Sequence, residues 1–456
     1  MKTVFVVMLI SAGLLGCKKF LDIPPPKDQL IGKSVFTDDK SATAAIIGIY
    51  SNMMQTNRLH SYNSTIFTSL GSDELYFPWT YDPAMVQFYT NNILSDNQEI
   101  SASWSWGYNY IYAANACIEG LNSANRVTEG TKNRLLGEAK FVRAFTYFYL
   151  VNLFGDVPLI TKTEYITNAE TARTPKAEIY SQIIADLKEA QILLPVDYAT
   201  NERVRPNKWA ATALLGRVYL YQKDWMNAAV EATKVIESGV YSPLPSLNDV
   251  FLKNSAETIW QLMPVDGYRN TFVAPSLIPY DDTQSPSYPL REDFVKGFEV
   301  NDQRVVEWIG TSVELGITYR YVHKYKITSG SPLNEYLIVL RAAELYLIRA
   351  EANANLNHIS DAIDNLNIIR KRAGLNDLSK TLTSSQCIDA VAQERKAELF
   401  VEFGHRWLDL KRTGKLNEVV GALKPTWKPT ADLWPIPLDQ INANQKLIQN
   451  PGYSGN

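Results

Sequence analysis

A chain of 456 residues with 45 Lys and Arg against 48 Asp and Glu carries a formal charge of −3, interspersed along its length, which excludes a nucleic-acid surface built on net charge. Three cysteines exclude a disulfide-rich scaffold. The unusual quantity is aromatic: 10 Trp and 25 Tyr, with Tyr outnumbering Phe, and such amphipathic rings suit a wet core or a recognition surface.

Residues 1–16 read as a removable export signal: Lys2 supplies the charge, Val4 to Leu15 the apolar run, and Gly16 the small residue before the cut. About twelve apolar residues span only about 18 Å as a helix, short of the ~30 Å hydrocarbon core, so the run does not suit a permanent membrane anchor. Leu14-Leu15-Gly16-Cys17 resembles the bacterial lipobox, although Leu15 is bulkier than the residue usual there. Cys17 is therefore the expected lipidation site, and residues 17–36, with Lys18, Lys19 and three consecutive prolines from Pro24, form an extended tether. Two or three acyl chains would hold the chain stably at a membrane. No later segment reaches 18 uninterrupted apolar residues. Cys117 and Cys387 then remain, in helix-like text, with a bridge between them left open.

Residues 37–456 read as one domain of helical pairs near 41–122, 132–194, 207–239 and 338–374. The third pair is the clearest. Asn207 caps a helix with Ala211, Leu214, Val218 and Tyr221 on one face; a turn at Lys223-Asp224 leads to Trp225, Ala228, Ala229, Ala232 and Val235, stopped near Gly239. Leu215-Gly216 and Tyr219 before paired alanines match a tetratricopeptide repeat, whose small residues let two helices approach closely. In the fourth pair, Leu340, Ala343, Leu347, Ala350 and Ala354 precede a helix capped by Ser360. Thr174-Pro175 starts the second helix of the 132–194 pair. One pair cannot bury its apolar face alone, so four pairs predict a mainly α, tetratricopeptide-like solenoid.

Two inserts interrupt the pattern, a long irregular stretch at 59–99 and Pro-rich text with short alternating runs at 240–337. Tyr319, Tyr321, His323 and Tyr325 alternate with Arg320, Val322 and Lys324, predicting a strand. Loops of this length beside a regular scaffold tend to carry function, so the binding surface is expected on the inserts.

Four stretches resemble the SusD/RagB family of bacterial outer-membrane lipoproteins that capture nutrients: Cys17 to Pro25; Glu138 to Leu159 with its Gly155-Asp156-Val157-Pro158 turn; Glu394 to Gly414 within a C-terminal region at 385–456; and Leu433-Trp434-Pro435-Ile436-Pro437 with Asn450-Pro451-Gly452-Tyr453. The resemblance implies a tetratricopeptide-like scaffold with a loop-rich face. It also implies an outer-membrane, cell-surface address and a SusC-like TonB-dependent transporter as partner. Within these stretches Glu394, Glu398 and Glu402, with Arg406 continuing the row, read as one carboxylate stripe on a helix, and Arg143 and Asp156 as scaffold contacts.

The function implied is capture of a glycan, with peptide capture as the alternative within the family and surface hydrolysis as the alternative outside it. A sugar ring offers an apolar C–H face edged by hydroxyls, so rings on the inserts are the candidate contacts: Trp79, Tyr76 and Tyr81 in the first, Tyr268, Arg269, Tyr280 and Trp308 in the second. For each ring the competing role is packing its loop onto the scaffold. Trp260, in strand-like text, is expected in the core; Trp106 likewise, with Trp104 open to either role. No His or Cys spacing suggests a metal, no cofactor motif is present, and none of the common nucleophile or phosphate motifs occurs. Asp73 and Glu74 are the most tempting acid pair, but the preceding Gly71-Ser72 turn points to backbone capping, so no catalytic residue is expected.

Overall fold

The computed structural model of the chain describes residues 35–454. The export signal, Cys17 and the tether as far as residue 34 lie outside the described residues. None of the described helices is long and apolar enough to cross a membrane.

Helices dominate and stack in chain order. Asp39–Met53 packs on Gln98–Ser123, that helix on Glu129–Phe154, and the series continues through Lys176–Leu193, Lys208–Tyr221 and Trp225–Ile236. The next contact skips the whole insert between residues 237 and 341: Trp225–Ile236 lies directly on Ala342–Asn355, which is followed by Ile359–Arg372 and Ser384–Glu398. From Leu135 onward nearly every side chain of Glu129–Phe154 is buried, and the charges taken inside are paired, Glu138 with Arg205 and Arg143 with Asp186. Gly107 permits the close contact beside it, because a Cβ there would sit 2.8 Å from Leu150. Gly216 is less demanding: its nearest neighbours, on Glu231 and Ala232, stand at 3.5 and 3.6 Å, ordinary contact distance.

The caps fall largely as the residue types predict. Asn207 Oδ1 accepts from the Ala210 amide at 3.1 Å and Asp224 Oδ1 from the Asn227 amide at 3.2 Å. His358, rather than Ser360, precedes the helix Ile359–Arg372. The first insert departs further from expectation, since much of 59–99 is helical. A π-helical turn at Leu59–Asn63 runs into Ser64–Gly71, and Pro83–Thr90 follows behind an Asp82 cap. These helices are short, and burial of Ile66, Phe67, Leu70, Met85 and Phe88 holds them where periodicity over so few residues is a weak signal. Residues 72–82 and 91–97 remain irregular.

Four short strands make two antiparallel pairs. β1 (Thr258–Leu262), fully buried with Trp260 inside, pairs with β4 (Leu337–Arg341). β2 (Ile309–Glu314) and β3 (Ile317–Val322) form a hairpin whose two turn residues, Leu315 and Gly316, have φ of 51° and 79°, the left-handed pair a tight hairpin requires. The strand stops at Val322, so His323 and Tyr325 fall outside it. Tyr325 is instead buried, its hydroxyl accepting from the Ile338 amide at 2.9 Å.

The glutamate row also breaks. The helix ends at Glu398, and positive φ at Val401, Phe403 and Gly404 turns the chain before the next helix, His405–Arg412. Arg406 thereby faces Asp73, which it holds with two hydrogen bonds of 2.7 Å. The three glutamates instead meet a buried set of cations: Arg304 reaches Glu394 at 2.6 Å, Arg341 spans Glu398 and Glu402 at 2.6 and 2.8 Å, and Lys324 bonds Glu402 at 2.5 Å. Arg143 and Asp156 are scaffold contacts, Arg143 pairing with Asp186 at 2.6 Å and Asp156 accepting from the Lys176 amide at 2.8 Å. Cys117 and Cys387 are both buried and free.

Candidate functional site

The irregular stretch 72–82 is pinned at its start and open at its end. Glu74 sends Oε1 to the Val401 amide at 2.7 Å, and its burial pushes the carboxyl up to about 7 against that hydrogen bond. Burial raises the Asp73 carboxyl too, but Arg406 outweighs it and the net shift is downward. Both acids are thus occupied in joining this stretch to the C-terminal helices. Beyond them the chain adds a strand-like edge to the hairpin. Leu75 bridges Leu290 and Leu290 bridges Arg320, while the Tyr76 amide donates to Pro289 O at 3.0 Å and the Arg291 amide to Glu74 O at 2.9 Å.

This edge brings together three of the expected residues. Trp79 and Tyr81 stack with ring centroids 6.3 Å apart and planes 27° from parallel. Trp79 is half-buried, its indole nitrogen donating to Ser287 O at 3.2 Å, whereas Tyr81 is 74% exposed. Behind them Phe77 and Tyr288 are buried, at 5.8 Å from one another, and Tyr62 donates to the Tyr288 hydroxyl at 3.2 Å. The outer rings thus rest on an inner aromatic layer that fixes their orientation. Tyr76 sits at the other end of the edge, in a groove of about 290 Å³ that also includes Tyr89, Arg291 and Arg320.

The second-insert candidates separate. Tyr268 and Arg269 form their own loop, where Asp266 Oδ1 accepts from both amides at 3.0 and 2.8 Å and Tyr268 O accepts from Gly330. Tyr280 is almost fully exposed on the loop whose Asp282 O accepts from the Val313 amide of β2. No ring contact links either loop to Trp79. Trp308 must be withdrawn as a contact. It is completely buried, its indole donates to Leu247 O at 2.9 Å, and Phe251, Phe400 and the Lys324 ammonium enclose its ring. The short helix Gln303–Trp308 turns it inward, a direction that composition does not reveal. Trp104 is likewise core, while Trp106 is only partly buried and lies under the Arg58 guanidinium at 3.3 Å. Arg291 and Tyr89 were not marked by any motif; Arg320 showed only as the polar partner in an alternating strand.

Among the described residues no group of three or more His, Cys, Asp or Glu could hold a metal ion. His60 is enclosed by Tyr110, Phe145 and Tyr149, and burial pushes its imidazole down to about 3.

A helical solenoid with a loop face bearing stacked rings defines a class of binding scaffold, and comparison with known proteins names the family. Residues 19–220 match the model described as "Starch-binding associating with outer membrane", and residues 301–453 match the SusD family model. SusD-like protein P2 of Formosa agariphila is 30% identical, with 99% of both chains covered. The starch-binding protein SusD of Bacteroides thetaiotaomicron is 23% identical over 98% of this chain and 97% of its own. A crystal structure of a SusD superfamily protein from Bacteroides vulgatus superposes with a TM-score of 0.81 at 21% identity, covering 91% of this chain and 99% of the other. The chain belongs to the SusD/RagB family.

Proposed function

We propose that this chain is a non-catalytic binding protein of the outer membrane that captures a glycan and hands it to a SusC-like TonB-dependent transporter. The observation that carries the reading is the Trp79–Tyr81 platform, two near-parallel rings backed by Phe77 and Tyr288 and open to solvent on the loop face. Such a surface suits the C–H face of a sugar better than an extended peptide, which needs unpaired backbone groups to bond. The starch-binding relative and the family description support the same ligand class and the same address. The occupation of Asp73 by Arg406 and of Glu74 by the Val401 amide supports binding without hydrolysis. Lipid on Cys17 would provide the tether, and a flexible tether would let the scaffold swing over a neighbouring barrel.

Affinity gels carrying a panel of polysaccharides test the reading. Retardation of the wild-type chain, lost in Trp79→Ala and reduced in Tyr81→Ala, is the expected result. Reducing ends accumulating during incubation, or retardation indifferent to both substitutions, would sink it.

A further inference from the structure

The groove at the Tyr76 end of the platform edge has an electrostatic character that the rings alone do not explain. Arg291 makes no side-chain hydrogen bond, and its Nε is shielded from water without a partner. Arg320 touches only the Thr311 hydroxyl through its guanidinium. Neither has a carboxylate within 4 Å among the described residues, although most arginines of the interior have one or more. Behind the groove, buried Lys424 bonds only neutral oxygens, those of Leu70, Gly71 and Asn91. Burial and the nearby Arg291 charge together push its ammonium well below the ordinary lysine range. Two guanidiniums therefore face the groove without a carboxylate in contact, and Lys424 lies behind Arg291, bonded only to neutral oxygens. The acids that do line the groove, Glu292 and Asp293, are exposed on the first turn of the short helix Glu292–Lys296, with Glu292 facing Lys296 at 3.9 Å. The Asp293 carboxylate, without a partner among the described residues, is left to accept a sugar hydroxyl.

An unpaired, partly desolvated guanidinium is an unfavourable arrangement in a free protein and a favourable one opposite an anion, where two parallel N–H groups meet two oxygens. Tyr76 lies three residues before Trp79, about 10 Å along an extended chain, so one bound oligosaccharide can reach both ends of the edge. We infer that the Tyr76–Arg291–Arg320 groove takes an anionic sugar substituent, a uronate carboxylate or a sulfate ester, and that the glycan captured at Trp79 and Tyr81 is acidic. The inference rests on the glycan-binding reading and narrows its substrate class.

Titration calorimetry of the purified chain with oligogalacturonate, a sulfated galactan oligosaccharide and neutral gluco- and xylo-oligosaccharides tests it, at low and at high salt. The uronate or the sulfated oligosaccharide should bind, with affinity falling as salt rises, and the arm that binds identifies the anion. Arg291→Gln and Arg320→Gln should each weaken that binding about tenfold or more. Because the Arg291 side chain makes no hydrogen bond in the fold, Arg291→Gln should melt no lower than wild type; a marked fall in melting temperature would make Arg291 structural and overturn its role. Neutral oligosaccharides bound equally by wild type and both glutamine variants, but not by Trp79→Ala, would overturn the acidic-glycan inference and leave the glycan reading standing. Failure of every oligosaccharide in the panel would overturn both.

Discussion

Arg341 and Arg291 each follow a strand residue and lie beside aromatic rings, yet their surroundings differ completely. Arg341 ends β4 inside the molecule, where Glu398 and Glu402 take up its donors and Glu257 stands at 3.7 Å. Arg291, on the edge formed with residues 74–76, meets two tyrosines and no acid within 4 Å. The tryptophans divide the same way: Trp308 is completely buried, while Trp79 is only half-buried beside the exposed Tyr81. Residue type is thus a poor guide to role in this fold. What separates scaffold from binding face is whether the polar and aromatic groups are already satisfied by the protein itself.

The contrast can be broken most forcefully at its buried end. Arg341→Ala leaves Glu402 short of its principal partner and Glu398 short of one of three arginines, and loss of one member of a buried pair costs about 3–5 kcal/mol. A melting curve should show a large drop or no cooperative fold. Trp308→Ala empties a filled site and should cost a similar about 3–5 kcal/mol without touching the exposed rings. If instead it abolished glycan binding at unchanged stability, the division between the two tryptophans would be wrong.

Acid should expose a third difference. Burial pushes His60 down to about 3 and His405 down to about 4 in the folded chain, whereas an unfolded histidine titrates near ~6.5. The unfolded state binds the extra protons, so the stability these neutral rings contribute is intact above about pH 6.5 and is lost as pH falls toward 4 and then 3. Each should add a slope of about 1.4 kcal/mol per pH unit over its window. His60→Phe should remove one share, read from urea midpoints between neutral and mildly acidic buffer. Glu74 opposes this trend. Its carboxyl, raised to about 7, contributes stability below its unfolded value near ~4.3 that disappears as pH rises through 7, so Glu74→Gln should steepen the acid loss. The smallest effect belongs to the platform: Trp79→Ala gives up a half-buried ring and one hydrogen bond, so it should cost about 1–2 kcal/mol, well below Trp308→Ala, while removing glycan retention.

The helical stacking was legible in the residues, because spacing of three and four along 207–239 or 132–154 survives whatever the helix packs against. The cap at Asn207 and the burial of Trp260 were legible for the same reason, since both follow from local chemistry. The first insert was not. Ser64–Gly71 and Pro83–Thr90 owe their helical form to the core they fill rather than to any long periodic signal. The glutamate row misled because the turn at 401–404 depends on the elements it passes between, and that turn sends Arg406 to Asp73. Trp79 could be marked as an aromatic residue on an insert, but nothing in the text distinguished it from Trp308. Solvent access depends on which neighbours close over a side chain, and those neighbours, Leu247 and Phe400 for one and Ser287 for the other, come from segments far away in the chain. Local periodicity therefore specified the scaffold, whereas long-range contacts decided which rings and which arginines were left without partners.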